Sequence, residues 1–196
     1  MKRICVYCGS SSGGRPEYLA AAVKLGETLV AQQLELVYGG ASIGLMGAIA
    51  DTVLQAGGRV IGIIPHHLKN EVAHCHLTEL HVVENMHERK KMMLDYADGM
   101  IAMPGGFGTL EEIFEAVTWG QLRLHGKPCG LLNVAGYYDN LLVFLRHAVE
   151  EKFIRGEYLE LLLAAEDPAA LLEKFRQFHP PSGVKWLPSE NDGRSR

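Results

Sequence analysis

The sequence predicts one α/β domain built on a doubly wound parallel sheet. Short apolar runs alternate along most of the chain with stretches whose apolar residues recur at helical spacing. The runs carry apolar residues on both faces of a strand, which is typical of parallel strands that are covered by helices on both sides. At 196 residues, 47% of them hydrophobic, the chain is long enough for a single core of this kind.

The predicted strands are the apolar runs that are too short for helices and rich in residues that favour β structure. In chain order they lie at 3–8, 34–38, 59–64, 80–83, 99–103 and 128–134. Most neighbouring runs are separated by enough residues for a crossover helix, as a parallel sheet requires.

The predicted helices are marked by apolar stripes at helical spacing. In chain order the stripes are Leu19-Val23-Gly26-Val30, Leu45-Ile49-Val53, Ile113-Val117-Leu124 and Leu141-Leu145-Val149. A last helical segment, 167–178, is expected to pack on an edge of the sheet. The residues from 179 to 196 are rich in proline, serine and charge, and they are expected to form a flexible tail. The predicted domain therefore spans residues 1–178.

The overall charge and the hydropathy exclude several classes of partner. The formal net charge is −4, which argues against a nucleic-acid polymer or an acidic membrane surface, because both select clustered Lys and Arg. No stretch approaches the roughly 20 apolar residues of a membrane-spanning helix. The first residues enter a strand-like run directly and lack the pattern of a signal peptide. We expect a cytoplasmic protein.

The cysteines and histidines offer metal or redox alternatives, and neither is favoured. Cys5 and Cys8 form a CxxC motif, but residues three apart in a strand point to opposite faces. No second CxxC completes a zinc site. His74 and His76 are interpreted as part of a solvated connector in preference to a metal site. We expect neither a metal nor a cofactor.

Glycine clusters follow the first, second and fifth predicted strands, at 8–14, 39–44 and 104–108. The carboxyl ends of parallel strands line the ligand crevice of such a sheet, and glycine lets backbone amides approach a ligand closely. The following helix adds a partly positive end, so phosphate is the natural ligand. Neither GxGxxG nor GxxxxGK[ST] occurs in its proper context. A mononucleotide or sugar phosphate is therefore favoured over a dinucleotide or a triphosphate.

Glu112 has two interpretations. Thr109 and Glu112 match the S/T-x-x-E capping box, in which the acid only reaches back to the start of its own helix. The preceding Pro-Gly-Gly, residues 104–106, favours a functional carboxylate instead, because a simple cap does not need so open a backbone.

Arg89 is a second anomaly. Asn85 is a good helix N-cap with Glu88 three residues on, which puts Arg89 in the first turns, where cations are disfavoured. Arg89 also shares a face with Met86 and Met93 and so leans toward the apolar side. It could be a snorkelling arginine paired with a neighbouring acid. The alternative is that Arg89 meets Glu112 beside a bound phosphate ester.

The motifs MHERK at 86–90 and PGGFGTLEE at 104–112 together resemble the paired signatures of the Lonely guy (LOG) family. Its members are cytokinin riboside 5'-monophosphate phosphoribohydrolases, many of them labelled lysine decarboxylase-like. The resemblance covers residues 1–178. It implies a Rossmann-like fold, hydrolysis of the N-glycosidic bond of purine nucleoside 5'-monophosphates, and a homodimer with sites near the interface. The products would be free base and ribose 5-phosphate.

The resemblance also implies roles for individual residues. Arg89 and Glu112 correspond to the catalytic pair of the family. The implied substrate contacts are Glu71, Lys90, Gly105, Gly106, Phe107, Gly108, Thr109, Leu110, Glu111 and Thr118. Glu71 lies in the connector 66–79, the variable part of the family pattern.

Two other functions remain as alternatives. A non-catalytic carrier of a nucleotide or nucleotide-containing cofactor would need the glycine loop but neither Arg89 nor Glu112. A pyridoxal-phosphate lysine decarboxylase would need a lysine placed for a Schiff base and an acid near the pyridine nitrogen. The lysines fall mainly on helix faces, which disfavours it. The chemistry independently favours the hydrolase, because a carboxylate stabilises the positive charge that develops on a ribosyl ring during cleavage.

Overall fold

The computed structural model describes residues 1–181, and in that range it contains one sheet of seven parallel strands. The strands are β1 (Arg3–Tyr7), β2 (Glu35–Tyr38), β3 (Val60–Pro65), β4 (Glu79–Val83), β5 (Gly99–Ala102), β6 (Cys129–Leu132) and β7 (Leu162–Ala165). The six strands predicted from the sequence are all present, with ends that differ by at most two residues.

The helices of the described range follow the strands in alternation. They are α1 (Pro16–Ala31), α2 (Gly44–Gln55), α3 (His66–Val72), α4 (Met86–Tyr96), α5 (Phe107–Gln121), α6 (Asp139–Glu150), α7 (Gly156–Leu159) and α8 (Pro168–Gln177), with a short 3₁₀ turn at Val134–Gly136. Pro16 and Pro168 occupy first-turn positions, where the missing amide hydrogen costs nothing. Asp167 caps α8 by accepting from the amides of Ala169 and Ala170.

The strand order is β4-β3-β2-β1-β5-β6-β7, with all neighbours parallel. The chain builds outward from β1 to β4, returns, and continues on the other side of β1 with β5. The topological switch point therefore lies between β1 and β5, and ligands of open α/β sheets bind outside the carboxyl ends of the strands at such a point.

Helices cover both faces of the sheet, as the doubly wound prediction requires. One face packs against α1, α2 and α8, and its core includes Ile4, Leu36 and Ile49. The other packs against α4, α5 and α6, and its core includes Val37, Met93 and Ile113. The predicted single α/β domain with a Rossmann-like parallel sheet is confirmed.

Cys5 and Cys8 lie in the cores of opposite faces, both buried and both free. Burial raises the pKa of each thiol well above its usual range, so neither is a ready thiolate. The CxxC spacing therefore reflects two core positions on opposite faces, one in β1 and one directly after it, as the two-residue period of a strand predicts.

Two predicted helix faces were wrong in detail. In α1 the buried residues are Ala22, Leu25, Gly26 and Leu29, whereas the predicted Leu19 and Val23 are exposed. Because α1 contains several alanines, its apolar residues are compatible with more than one buried face. The face that packs against the sheet is the one that carries Leu25 and Leu29. Leu124 lies beyond the end of α5 and is also exposed. The stripe Leu45-Ile49-Val53 is buried as predicted.

The C-terminal third and the connector hold elements that the sequence did not reveal. The edge strand β7 reads LLAA, which is too short and too poor in β-branched residues to stand out. α3 occupies residues that were expected to form a loop. α8 was expected on an edge of the sheet, but Phe175 lies over Gly99 of β5 and Gly130 of β6, so α8 covers a face.

The expectations about membrane, location and tail have different outcomes. Within residues 1–181 no helix combines the length and the apolar character needed to cross a bilayer. The cytoplasmic location stays a prediction. Most of the expected tail, residues 182–196, lies outside the described residues.

Candidate active site

The glycine loops after β1 and β5 meet at the switch point of the sheet. The amide of Gly9 donates to the carbonyl of Pro104 over 3.1 Å, so the two loops are joined by their backbones. A Cβ atom on Gly105 would lie 2.1 Å from Oγ1 of Thr109 and 2.9 Å from the amide nitrogen of Gly9. Only glycine allows this approach, which explains the residue type at position 105 in terms of packing as well as ligand access.

α5 begins directly after this loop, with Gly106 as its N-cap and Phe107 as its first residue. Thr109 is therefore inside the first turn, buried against Gly105, and does not cap the helix. The capping-box interpretation of Thr109 and Glu112 is wrong, because the N-cap of α5 is Gly106, three residues before Thr109. The first amides of α5 have no partner within the helix, which makes its N-terminus a place for an anion.

Glu112 forms an ion pair with Arg89 that links α5 to α4. Nη1 of Arg89 donates to Oε1 of Glu112 over 2.8 Å, and the two side chains are only 11% and 10% exposed. Nε of Arg89 donates to the carbonyl of Ile63 at 3.1 Å, which fixes the guanidinium against β3. Arg89 and Glu112 therefore meet, as one of the two interpretations of Arg89 required, and a phosphate ester bound beside them stays a prediction.

Burial raises the pKa of Glu112 above the usual value of a glutamate. The Arg89 charge acts in the opposite direction, and the nearby Glu111 reinforces the rise. A carboxylate that is desolvated and held by one strong partner is a common feature of catalytic acids and bases.

Arg89 lies on the side of α4 that faces the core, as the sequence indicated. Asn85 caps the helix by accepting from the amide of Glu88 at 2.9 Å. Glu88 in turn accepts from the amide of Glu84, whereas a capping box would use the amide of Asn85. Met93 is buried and Met86 is partly exposed on the same side of the helix as Arg89.

Lys90 is buried and binds two acids of α5. Its Nζ pairs with Glu111 and, at 3.1 Å, with Glu115. Burial alone would lower the pKa of Lys90, but these hydrogen bonds outweigh it and the pKa is raised. Lys90 thus holds Glu111 in place, and its contact with substrate stays a prediction.

Two clefts open on either side of the joined glycine loops. The catalytic cleft, about 300 Å³, contains Arg89, Glu112, Glu111 and the segment 106–109, with Gly39 and Met46 on its wall. The serine cleft, about 290 Å³, contains Ser10, Ser11 and Ser12 with Tyr18 and Tyr137. Gly9, Ser10 and Gly106 line both clefts, so the loops form a shared rim.

The predicted contacts divide into those at the clefts and those away from them. Gly105 lines the serine cleft, and Gly106, Phe107, Gly108, Thr109 and Glu111 line the catalytic cleft. Leu110 packs against the core instead. Thr118 is exposed further along α5, where its hydroxyl donates to the carbonyl of Phe114. Glu71 is exposed on α3 and does not line either cleft.

The histidine connector has a structural role that its sequence did not indicate. His74 is buried, not solvated, and its Nε2 lies 2.9 Å from Oδ1 of Asp51. The His74 amide donates to the carbonyl of Gly40, which attaches the connector to the glycine loop after β2. His76 is exposed. Among residues 1–181 no group of three His, Cys, Asp or Glu side chains could hold a metal ion.

Three further residues of the site have roles that the sequence did not indicate. Gly39 faces Arg89, and the hydroxyls of Tyr137 and Tyr138 donate to carbonyls of the loop before α5. The paired tyrosines of GLLNVAGYYD, followed by the N-terminus of α6, were a signal in the sequence, but their partners lie more than 30 residues away.

Solved structures share this fold. The molybdenum cofactor binding protein of Rippkaea orientalis has a TM-score of 0.69 at 23% identity, covering 90% of this chain and 97% of that one. The Moco carrier protein of Chlamydomonas reinhardtii has a TM-score of 0.67 at 20% identity, covering 90% and 96%. At this level of identity the likeness concerns the fold alone.

The sequence relatives are much closer. A probable cytokinin riboside 5'-monophosphate phosphoribohydrolase of Oryza sativa subsp. japonica is 49% identical over 180 residues, covering 91% of this chain and 79% of the relative. An enzyme of Arabidopsis thaliana named cytokinin riboside 5'-monophosphate phosphoribohydrolase is 46% identical over 180 residues, covering 91% and 83%. The family model described as "Possible lysine decarboxylase" matches residues 46–175. With Arg89 and Glu112 of the two motifs paired in one cleft and this identity over nearly its whole domain, the chain belongs to the family of the cytokinin riboside 5'-monophosphate phosphoribohydrolases, the Lonely guy family.

Proposed function

We propose that this protein hydrolyses the N-glycosidic bond of purine nucleoside 5'-monophosphates, of the cytokinin type or adenosine, to free base and ribose 5-phosphate. The observation that carries the proposal is the buried pair of Arg89 and Glu112, which lies in the same cleft as the glycine loop and the N-terminus of α5. An anion site and a desolvated carboxylate on one helix match the 5'-phosphate and the anomeric carbon of a nucleotide.

The 5'-phosphate is assigned to the start of α5. The first-turn amides of a helix are unsatisfied, and the helix dipole favours a negative ligand there. Gly106 and Gly108 carry no side chain to obstruct it, and a Cβ atom at either position would meet nothing within 4 Å. Glu112 is five residues beyond Phe107, the first residue of α5, which is about 7–8 Å along the helix axis at 1.5 Å per residue. This spacing suits a ribose placed between phosphate and carboxylate.

Glu112 would act on the anomeric carbon. As the glycosidic C–N bond breaks, its electron pair leaves with the base and positive charge develops on the ribose ring. The ionised carboxylate stabilises that charge and orients water, whose oxygen bonds to the anomeric carbon. One proton of the water passes to Glu112 and then to the solvent or the leaving base.

Arg89 keeps this carboxylate ionised and aimed. Desolvation favours the neutral acid, and a permanent positive charge 2.8 Å away opposes it. The bond from Arg89 to the carbonyl of Ile63 holds the guanidinium in place without using the face that pairs with Glu112. A protein that only carried a nucleotide or a nucleotide-containing cofactor would have no use for this buried pair.

The function is tested by incubating the protein with adenosine 5'-monophosphate, its N6-isopentenyl derivative and adenosine, and measuring released base by chromatography. We expect release from the monophosphates. Adenosine should have a kcat/KM at least about 100-fold lower, because it loses charge-assisted hydrogen bonds worth about 1.5–3 kcal/mol each. Binding of the monophosphates without any release would identify a carrier. Equal turnover of adenosine would remove the anion site from the proposal.

The protein is also proposed to act as a homodimer. Phe107 is 93% exposed beside the catalytic cleft, and Phe144, Phe153 and Leu124 are also largely exposed, which is unusual for large apolar side chains unless a partner covers them. Thr118 and Glu71 are exposed and away from the clefts of their own chain. The mass in solution, measured by light scattering after size exclusion, should be twice the 21.6 kDa of one chain; a monomer would refute the dimer and leave the hydrolase proposal intact.

A further inference from the structure

We propose that Tyr137 and Tyr138 are positioning residues that hold the glycine loop after β5 in the form that binds the substrate phosphate. This inference rests on the proposed function, since it concerns the same anion site. Neither tyrosine belongs to the two sequence motifs that mark the site. Both come from the turn between β6 and α6, on the far side of β5 from β1.

Three successive carbonyls of the loop are bound by donors from outside it. The hydroxyl of Tyr138 donates to the carbonyl of Met103 over 2.6 Å, and that of Tyr137 donates to the carbonyl of Gly105 over 2.6 Å. Between them, the carbonyl of Pro104 accepts from the amide of Gly9 at 3.1 Å. The whole peptide run before α5 is thus fixed through its oxygens.

Fixing the carbonyls also fixes the peptide planes that carry the amides. Each peptide unit is planar, so binding the oxygen of one residue sets the direction of the next N–H group. The carbonyls of Pro104 and Gly105 belong to the same peptide units as the amides of Gly105 and Gly106. Glycine has the widest choice of backbone angles of any residue, so a loop of two glycines needs such restraints to present its amides in one arrangement.

The tyrosines are themselves held rigidly. The amide of Tyr138 donates to Oδ1 of Asn133 at 2.7 Å, and Nδ2 of Asn133 donates to Oδ1 of Asp139 at 2.7 Å. The turn before them has Ala135 at φ 49° and Gly136 at φ 71°, in the left-handed region. A non-glycine residue keeps such an angle only where its surroundings enforce it, which indicates that the turn is under structural constraint.

The rings pack as a unit against the helix on the other side of the loop. Tyr137 meets Tyr138 edge to face at 4.9 Å between centroids and meets Tyr18 of α1 at 5.7 Å. Tyr138 is fully buried, and burial raises the pKa of its hydroxyl, so the group stays a donor. Tyr137 is half exposed and lines the serine cleft, and it does not line the cleft of Arg89 and Glu112.

The test replaces each hydroxyl separately, with Tyr137→Phe and Tyr138→Phe. The rate of base release gives KM and kcat for adenosine 5'-monophosphate, and titration calorimetry gives the Kd for ribose 5-phosphate. We expect KM and Kd to rise about tenfold in Tyr137→Phe, the effect of one hydrogen bond of about 1.4 kcal/mol, with kcat within about twofold. If phosphate binding is weakened equally in the ground state and in the transition state, KM rises and kcat does not change.

Tyr38→Phe is the matched control. Tyr38 is also buried, and its hydroxyl has no hydrogen-bond partner among the described residues, so its removal should leave both constants at the wild-type values. Tyr137→Phe changes a half-exposed residue and tests the inference even if the buried Tyr138→Phe fails to fold. Unchanged KM and Kd in Tyr137→Phe would overturn the inference, as would a fall in kcat alone. If the wild-type protein releases no base, the proposed function fails, and the Kd for ribose 5-phosphate still decides the role of the tyrosines.

Discussion

Replacing Glu112 by glutamine should lower kcat for base release by about 1,000-fold, within the range of 10² to 10⁴ that a positioned acid or base contributes. The substitution keeps the shape of the side chain and a hydrogen-bond acceptor for Arg89, but it removes the negative charge. The ring of the transition state is positively charged and that of the bound substrate is not, so the loss falls on kcat more than on KM.

The measurement is the single-turnover rate of base release from adenosine 5'-monophosphate, with Glu115→Gln as control. Glu115 is on the same helix and pairs with Lys90 at 3.1 Å, but it does not line the catalytic cleft. Its loss should change the rate by no more than a few-fold. Near-normal turnover by Glu112→Gln, or an equal loss in both variants, would contradict the role given to Glu112.

The pH dependence gives the same argument a second readout. The reaction needs the ionised carboxylate, and burial raises the pKa of Glu112. As pH falls, kcat/KM should therefore begin to drop at a higher pH than it would if Glu112 had the ordinary glutamate pKa of 4.5. In Glu112→Gln the residual rate should lack this acidic limb.

The sequence predicted those parts of the molecule that depend on local pattern. Runs that are apolar on both faces require cover on both sides, so six strands and the parallel, doubly wound sheet followed from the residues themselves. Arg89 shared a helical register with Met86 and Met93, and that register placed its guanidinium on the buried side, where it meets Glu112. The choice between competing short-range patterns was less secure. Thr109 and Glu112 satisfied a capping box, but the N-cap of α5 is Gly106, which follows a loop that is joined to Gly9 through the carbonyl of Pro104.

Contacts between distant segments could not be predicted in the same way. Tyr137 and Tyr138 reach carbonyls more than 30 residues away, and a tyrosine hydroxyl gives no indication of its partner in the sequence. His74 looked like a polar connector residue because its partner, Asp51, lies 23 positions earlier in the chain, on α2. The glycine after β2 looked like part of a phosphate loop, and the structure gives Gly39 a different task.

Gly39 provides the room in which the Arg89 side chain lies. A Cβ atom at position 39 would be 2.0 Å from Nη2 of Arg89, and the next neighbours, Cζ of Arg89 and Sδ of Met46, are at 3.2 and 3.4 Å. The only severe contact is therefore with the end of a flexible side chain. The backbone angles of Gly39 are not in the left-handed region, so alanine is tolerated there without strain.

Gly39→Ala should thus displace Arg89 and leave the fold in place. We expect kcat to fall about 100-fold, because Glu112 loses the charge that orients it and keeps it ionised. Without that charge the pKa of the buried Glu112 rises further, so the acidic limb of kcat/KM should move to higher pH than in the wild-type protein. The urea midpoint should fall by no more than it does in Arg89→Ala, which breaks the same buried ion pair. Gly156→Ala, at a site where a Cβ atom meets nothing within 4 Å, serves as the control for an added methyl group.

The decisive comparison is a double-mutant cycle with Arg89→Ala. If Gly39 acts by giving space to the guanidinium, the added methyl group has nothing to displace once Arg89 is shortened, and the double variant should be as slow as Arg89→Ala alone. If the two losses multiply instead, Gly39 affects catalysis by another route, such as a backbone amide that contacts the substrate. The cycle measures the effect of Gly39→Ala twice, once with Arg89 present and once with alanine at position 89. It therefore separates these explanations even though both single variants are expected to be slow.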